Sequence, residues 1–225
     1  NLNNHKMDQN KTTSFIPALG YDFLTAYYDM AIKLTMPEKK FRRILIEEIN
    51  PQDGELILEF GFGTGQNLLL ANKANPNTKF EGLDIDPKVK AIAEHKLTKN
   101  NIKIPLHLYD GNELPFADDS FDKVYSCLVF HQLDAETKLK CLIELNRVLK
   151  PNGKVIIADW GKAQNKLMRF TFGLVQLLDG FKTTNDNVKG LMPDFISNAG
   201  FDNVAVTKSI NTAIGTFSYF SGRKN

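Results

Sequence analysis

Three glycines at alternate positions, Gly61, Gly63 and Gly65, follow the run Ile57-Leu58-Glu59-Phe60. The pattern reads as a buried strand that ends in a turn where the backbone comes very close to another group. Glycine permits that approach because it lacks a Cβ and tolerates positive φ. Gln66 to Ala74 reads as a helix, so the turn lies at a helix N-terminus, where free N–H groups favour polar or anionic ligand atoms. A glycine-rich turn without a ligand is the plain alternative. The spacing departs from the G-x-G-x-x-G dinucleotide fingerprint, because the third glycine comes one position early. No lysine follows Gly65, as a phosphate-cradling P-loop requires.

Further reactive groups fall at the ends of other predicted strands. Asp84 closes the second strand about twenty residues after the glycine turn. A carboxylate there can accept hydrogen bonds from both hydroxyls of a ribose. Asp110-Gly111 follows the third strand; the carboxylate can accept from an adenine amine and the Gly111 N–H can donate to a ring nitrogen. Asp86 reads as a helix cap. Phe130-His131-Gln132 follows the fourth strand. An imidazole with an unperturbed pKa of about 6.5 can orient or deprotonate an acceptor, so His131 is the candidate catalytic residue. It could instead shape the pocket or cap the following helix. Asp159-Trp160 ends the fifth strand, with Trp160 as a pocket wall or a packing residue. His5, His95 and His107 are assigned no role.

These groups need a scaffold that brings strand ends together. Periodicity predicts helices over 21–35 and from Pro37, the latter with Phe41, Ile44, Leu45 and Ile49 on one face. Strands are expected at 55–60, 79–84, 105–109, 121–128 and 154–160. Asp86 with Pro87 starts a helix carrying Val89, Ile92, Ala93 and Leu97. Asp134 starts another carrying Leu139, Leu142, Ile143 and Leu149, which Pro151-Asn152-Gly153 breaks. A helix near 188–199 precedes two strands, about 203–209 and 213–221, joined by a short link and so antiparallel. Strands alternating with helices imply a Rossmann-like α/β fold: seven strands, mostly parallel, the last antiparallel, helices on both faces. In such a sheet ligands bind outside the carboxyl ends of the strands.

The 225 residues read as one domain over 15–225, with a flexible tail over 1–14 and a helical cap over 15–50. Residues 161–187 form the expected substrate lid, with Leu167, Phe170, Leu174, Leu178 and Phe181 in one stripe. Its basic flanks, Lys162, Lys166, Arg169 and Lys182, would also suit contact with a membrane surface. No stretch approaches the ~18 apolar residues of a membrane span, and no signal-peptide pattern opens the chain. A net charge of +2 argues neither for nor against nucleic acid, and the lack of a basic stripe with interleaved aromatics disfavours it as a partner. Cys127 and Cys141 have neither metal-ligand nor disulfide-framework spacing, so no metal is expected and a cytoplasmic location is.

The strand-E-x-G-x-G-x-G pattern resembles the first motif of the class I S-adenosylmethionine (SAM) dependent methyltransferases. Two later segments and one earlier one strengthen the resemblance. Asp110-Gly111-Asn112-Glu113-Leu114-Pro115-Phe116-Ala117-Asp118-Asp119-Ser120-Phe121-Asp122 is similar to D-A-x-x-L-P-F-x-D-x-S-F-D. Glu144-Leu145-Asn146-Arg147-Val148-Leu149-Lys150-Pro151-Asn152-Gly153 is similar to E-x-x-R-V-L-K-P-G-G. Tyr21-Asp22 and Tyr27-Tyr28-Asp29 resemble the segment before the fold in quinone-type small-molecule members. Departures are small: Gly111 replaces a common alanine, Asn152 a common glycine, and Phe62 a frequent cysteine or serine.

The resemblance implies SAM as cofactor and a small, possibly hydrophobic, methyl acceptor. Glu59, Gly61, Gly63 and Gly65 would line the methionine end, with Tyr28 closing over it. Asp84 would take the ribose, Ile85 flank the adenine, and Asp110 and Gly111 read its polar edge. The carbonyl region near Cys127 would hold the amino group. A protein that binds SAM for regulation or scaffolding and transfers nothing is the alternative; a nicotinamide oxidoreductase is disfavoured by the glycine spacing.

Overall fold

The computed structural model describes residues 37–162, 186, 189–212 and 215–225. Predicted features over 1–36 and nearly all of 161–187 therefore lie outside the described residues, Tyr28 among them.

Helix α1 (Glu38–Ile49) buries Phe41, Ile44, Leu45 and Ile49, the face its periodicity predicts. It ends at Asn50, whose left-handed backbone stops the helix. The chain then alternates: β1 (Leu56–Phe60), α2 (Gln66–Ala74), β2 (Lys79–Asp84), α3 (Pro87–Lys99), β3 (Leu106–Leu108) and β4 (Phe121–Cys127). It continues through α4 (Ala135–Val148), β5 (Leu149–Gly161), α5 (Met192–Asn198), β6 (Phe201–Asn211) and β7 (Thr216–Lys224). Both predicted caps form: Asp86 accepts from the Lys88 N–H at 2.8 Å and Asp134 from the Thr137 N–H at 2.8 Å.

The seven strands lie in the order β3-β2-β1-β4-β5-β7-β6. β7 runs antiparallel to both β5 and β6, and the remaining pairings are parallel. The order reverses between β1 and β4, which opens a crevice at their carboxyl ends. Alternation along the strands splits the core in two. Ile57, Ile156 and Ala158 join Phe41, Leu45, Trp160 and Phe217 on the face covered by α1. Leu58, Val155 and Ile157 join Leu142, Leu145 and Ile196 on the face covered by α4 and α5.

Among the boundaries that differ from expectation, three have a local cause. β5 begins at Leu149, so this residue belongs to a strand and not to the helix before it. Pro151-Asn152-Gly153 does not precede the strand but bulges within it: Phe121 pairs with Leu149 and Lys123 with Lys154. Helix α5 is shorter than predicted because Gly190, at φ +79°, turns the chain just before it. On α3, Ile92 is exposed while Ala93 and Leu97 are buried, so the apolar stripe is narrower than its sequence suggested.

Candidate functional site

The three glycines of the turn do different work. All have positive φ, +73° at Gly61, +51° at Gly63 and +72° at Gly65. A Cβ on Gly61 would meet Val129 Cγ2 at 2.3 Å, and one on Gly65 would meet Ala93 Cβ at 2.9 Å. Those two glycines are needed for packing the turn onto its neighbours. A Cβ on Gly63 would meet nothing within 4 Å. Gly63 is thus the point where the backbone is bare toward open space, next to the N-terminus of α2. The SAM implied by the resemblance fits this cradle, whose free edge a side chain would fill.

Glu59 lies under the turn and not on its surface. It shares a face with Ile57 because strand residues alternate, and that face is covered by α1 and α2. Its side chain is fully buried; Asn67 Nδ2 donates to Oε1 at 2.9 Å and the Tyr125 hydroxyl bonds Oε2 at 3.1 Å. Burial raises its pKa to about 8 despite these bonds and the nearby Arg42 charge. Arg42 in turn donates to Asn67 Oδ1 and, at 2.9 Å, to Glu38. A polar chain therefore runs from α1 to the base of the glycine turn. Lys96 on α3 reaches the Thr64 hydroxyl of the turn at 3.1 Å.

Asp84 occupies the predicted strand end. Its carboxylate accepts from the N–H groups of Gly63 at 2.8 Å, Ile85 at 2.7 Å and Asp86 at 3.1 Å. It locks the glycine turn to the end of β2 while one edge stays at the surface, with 9% of the residue exposed. An ionised carboxylate has about four lone-pair sites, so acceptor capacity remains for a ligand hydroxyl. A Cβ on Gly111 would touch Ile85 Cδ1 at 3.4 Å, so Ile85 and Gly111 border one slot. Asp110 is fully exposed, and Asn112 donates to both its oxygens, from the backbone at 3.0 Å and the side chain at 2.9 Å. The Asn112 contacts hold the Asp110 carboxyl below the usual range.

The opposite wall comes from β4 and β5. Cys127 is buried, and burial pushes its thiol up, which keeps it a protonated packing group. The next residue, Leu128, has φ +60°, a costly conformation for a branched side chain and a mark of a backbone held for a purpose. Its turn sends Val129 against Gly61 and leads into a short 3-10 turn, Phe130–Gln132. His131 is 4% exposed, and its Nδ1 lies 2.8 Å from Asp159 Oδ1 at the end of β5. Asp159 also accepts from the His131 backbone N–H at 3.1 Å and the Trp160 N–H at 2.7 Å. His131 does not cap the following helix; Asp134 does. Trp160 is 1% exposed and packs edge-on against Phe217 at 6.0 Å.

The site thus gathers Glu59, the three glycines, Asp84, Ile85, Asp110, Gly111, Cys127 and His131 along four adjacent strand ends. Sequence reasoning missed Arg42, Asn67, Tyr125 and Val129, and gave Asp159 no partner. Their only sequence signal is placement one helix or strand away from a motif residue. The E-x-x-R part of the segment from Glu144 to Gly153 is a brace. Arg147 donates to Glu144 at 2.7 Å, Asp118 at 2.8 Å and the Leu114 carbonyl at 3.0 Å, fixing the segment after Asp110.

Known proteins share this architecture. Residues 58–157 match a family model described as a methyltransferase domain. An uncharacterized protein, MJ1252, of Methanocaldococcus jannaschii is 29% identical, covering 91% of this chain and 84% of its own. The ubiquinone/menaquinone biosynthesis C-methyltransferase UbiE of Bordetella avium is 28% identical over 65% of this chain, which spans 58% of that relative's length. The crystal structure of a SAM dependent methyltransferase from Aquifex aeolicus superposes with a TM-score of 0.63 at 21% identity, covering 86% of this chain and 96% of the other. Among the described residues no helix is long and apolar enough to cross a membrane.

Proposed function

We propose that this chain is a class I SAM-dependent methyltransferase, a reading supported by the family model, the curated relatives and the shared fold, and that it methylates a small apolar acceptor of the quinol or phenol type, with His131 as the acceptor's base. Bound SAM supplies an electrophilic methyl group on a sulfonium. The protein's share is alignment, exclusion of water and removal of a proton.

One observation carries the catalytic part: His131, paired with Asp159 at the end of β5, stands on the loop whose Val129 packs against Gly61. Asp159 already accepts from two backbone N–H groups, so it acts as the acceptor of Nδ1–H. In the neutral ring that leaves the lone pair on Nε2. Nε2 would take the proton that the acceptor loses when it is methylated. Asp159 fixes the ring orientation and offsets the positive charge that forms.

The binding roles follow the same geometry. Gly61, Gly63 and Gly65, with Glu59 beneath them, hold the methionine end. Asp84 takes the ribose, Ile85 and Gly111 border the adenine, and Asp110 meets its amine. The backbone after Cys127 meets the amino group; for Tyr28, which lies outside the described residues, the resemblance alone implies a place over the cofactor. The apolar sequence of 161–187 suits a cover for the acceptor, and its basic flanks suit peripheral membrane contact. The UbiE relative's name, which denotes quinone biosynthesis, supports the acceptor class.

The test is a SAM-consumption screen over quinols, phenols, amines and lipid head groups. We expect turnover with a quinol or phenol. Turnover only with amines or head groups would displace the acceptor class. SAM binding without consumption of any acceptor would favour a regulatory or scaffold protein. With an acceptor in hand, His131→Ala should lower kcat roughly 10²–10⁴-fold, with partial recovery at high pH, where the acceptor ionises unaided. A raised KM at unchanged kcat would make His131 a pocket residue only.

A further inference from the structure

The edge of the sheet opposite the glycine turn holds a cavity of about 370 Å³ that methyl transfer does not use. It opens among the amino-terminal ends of β1, β4 and β5 and the carboxyl end of β7. Its charged lining is Glu55, Asp122, Lys123, Lys150, Lys154 and Arg223. The β5 bulge at Pro151–Gly153 forms one wall. Gly153 is pinned there, because a Cβ would come within 2.7 Å of the Lys150 carbonyl.

The charges do not balance. Lys123 pairs with Glu55 at 2.7 Å and Lys150 with Asp122 at 2.8 Å. Lys154 and Arg223 have only carbonyls: Lys154 Nζ donates to the Glu48 carbonyl at 3.1 Å and Arg223 Nη1 to the Asn152 carbonyl at 3.0 Å. Among the described residues no carboxylate lies within ion-pair distance of either. Burial lowers the Lys154 pKa; Glu48 opposes that, while Lys123 and Arg223 add to it through like-charge repulsion. An anion in the cavity would relieve this crowding.

We propose that this cavity binds a small phosphate-bearing anion through Lys154 and Arg223. Phosphate oxygens accept from both ammonium and guanidinium donors, and charge-assisted bonds of this kind are the strong ones. A volume of about 370 Å³ suits a small free compound better than a phospholipid surface or a nucleic acid. It lies at the far ends of the strands from the cofactor crevice, so the two sites bind independently.

The experiment titrates the whole protein with inorganic pyrophosphate at low ionic strength, against a sulfate control of matched ionic strength. Saturable binding should appear that sulfate does not reproduce. Lys154→Gln and Arg223→Gln should each weaken it at least tenfold and leave SAM affinity unchanged, which also reports that the variants fold. Arg223 is exposed, so its replacement does not disturb the core. No saturable pyrophosphate binding, or binding indifferent to both substitutions, overturns the proposal. Two further arms use phosphatidylglycerol vesicles and a single-stranded oligonucleotide. Binding to either without binding of pyrophosphate also overturns it.

Discussion

Glu59 is an acid whose environment holds it as an acid. Its pKa of about 8 in the folded protein stands well above its ordinary value of 4.5. The folded state therefore keeps a proton that the unfolded chain has released across this interval. The Glu59 contribution to stability is complete below about 4.5 and is lost as pH rises through 8. Glu59→Gln keeps the shape and the Asn67 contact without the titration. In urea denaturation at several pH values, the parent should lose stability over this window by up to roughly 1.4 kcal/mol per pH unit. The variant should be flatter, and equal slopes would show that Glu59 is ionised in the fold. Asp84 differs because its oxygens face three backbone N–H groups and the surface. Asp84→Ala should weaken SAM binding by roughly 1.5–3 kcal/mol while the far-ultraviolet circular dichroism stays native. Parental affinity by calorimetry would reduce Asp84 to a loop brace.

At the scale of elements, the glycine turn separates packing from binding. Gly61→Ala would drive a methyl into Val129 and with it displace the loop that carries His131. Gly63→Ala meets no atom, so the fold should lose only the left-handed backbone cost of about 1–2 kcal/mol. Both should impair SAM binding, but Gly61→Ala should lower the melting temperature more. The reverse order would mean that Gly63 is the buried side of the turn. The elements that make this turn were largely legible. The strand before it, the helix after it and the caps at Asp86 and Asp134 are set by residues within one turn of one another. Leu149 and the Pro151–Gly153 segment were misread because helix-breaking residues also suit a bulge, and only pairing with β4 decides between them.

For the whole molecule, cofactor binding is a stability term. A ligand at a hundred times its Kd adds about 2.7 kcal/mol to a protein that binds it only when folded. For a chain of this size each kcal/mol moves the melting temperature by about 2–4 °C. Saturating SAM should therefore raise the melting temperature by roughly 5–10 °C, and NADH should leave it unchanged. A shift with NADH and none with SAM would be incompatible with the family's cofactor. The sequence alone determined the fold class, the glycine turn and the places of Asp84, Asp110 and His131 at or just after strand ends, because each is announced by neighbours along the chain. Tertiary structure decided what those residues touch. His131 meets Asp159 across 28 positions, Glu59 meets Tyr125 across 66, and Arg223 reaches Asn152 across 71. Such contacts depend on which strands lie side by side and which face each residue presents. Spacing along the chain encodes neither until the sheet has closed.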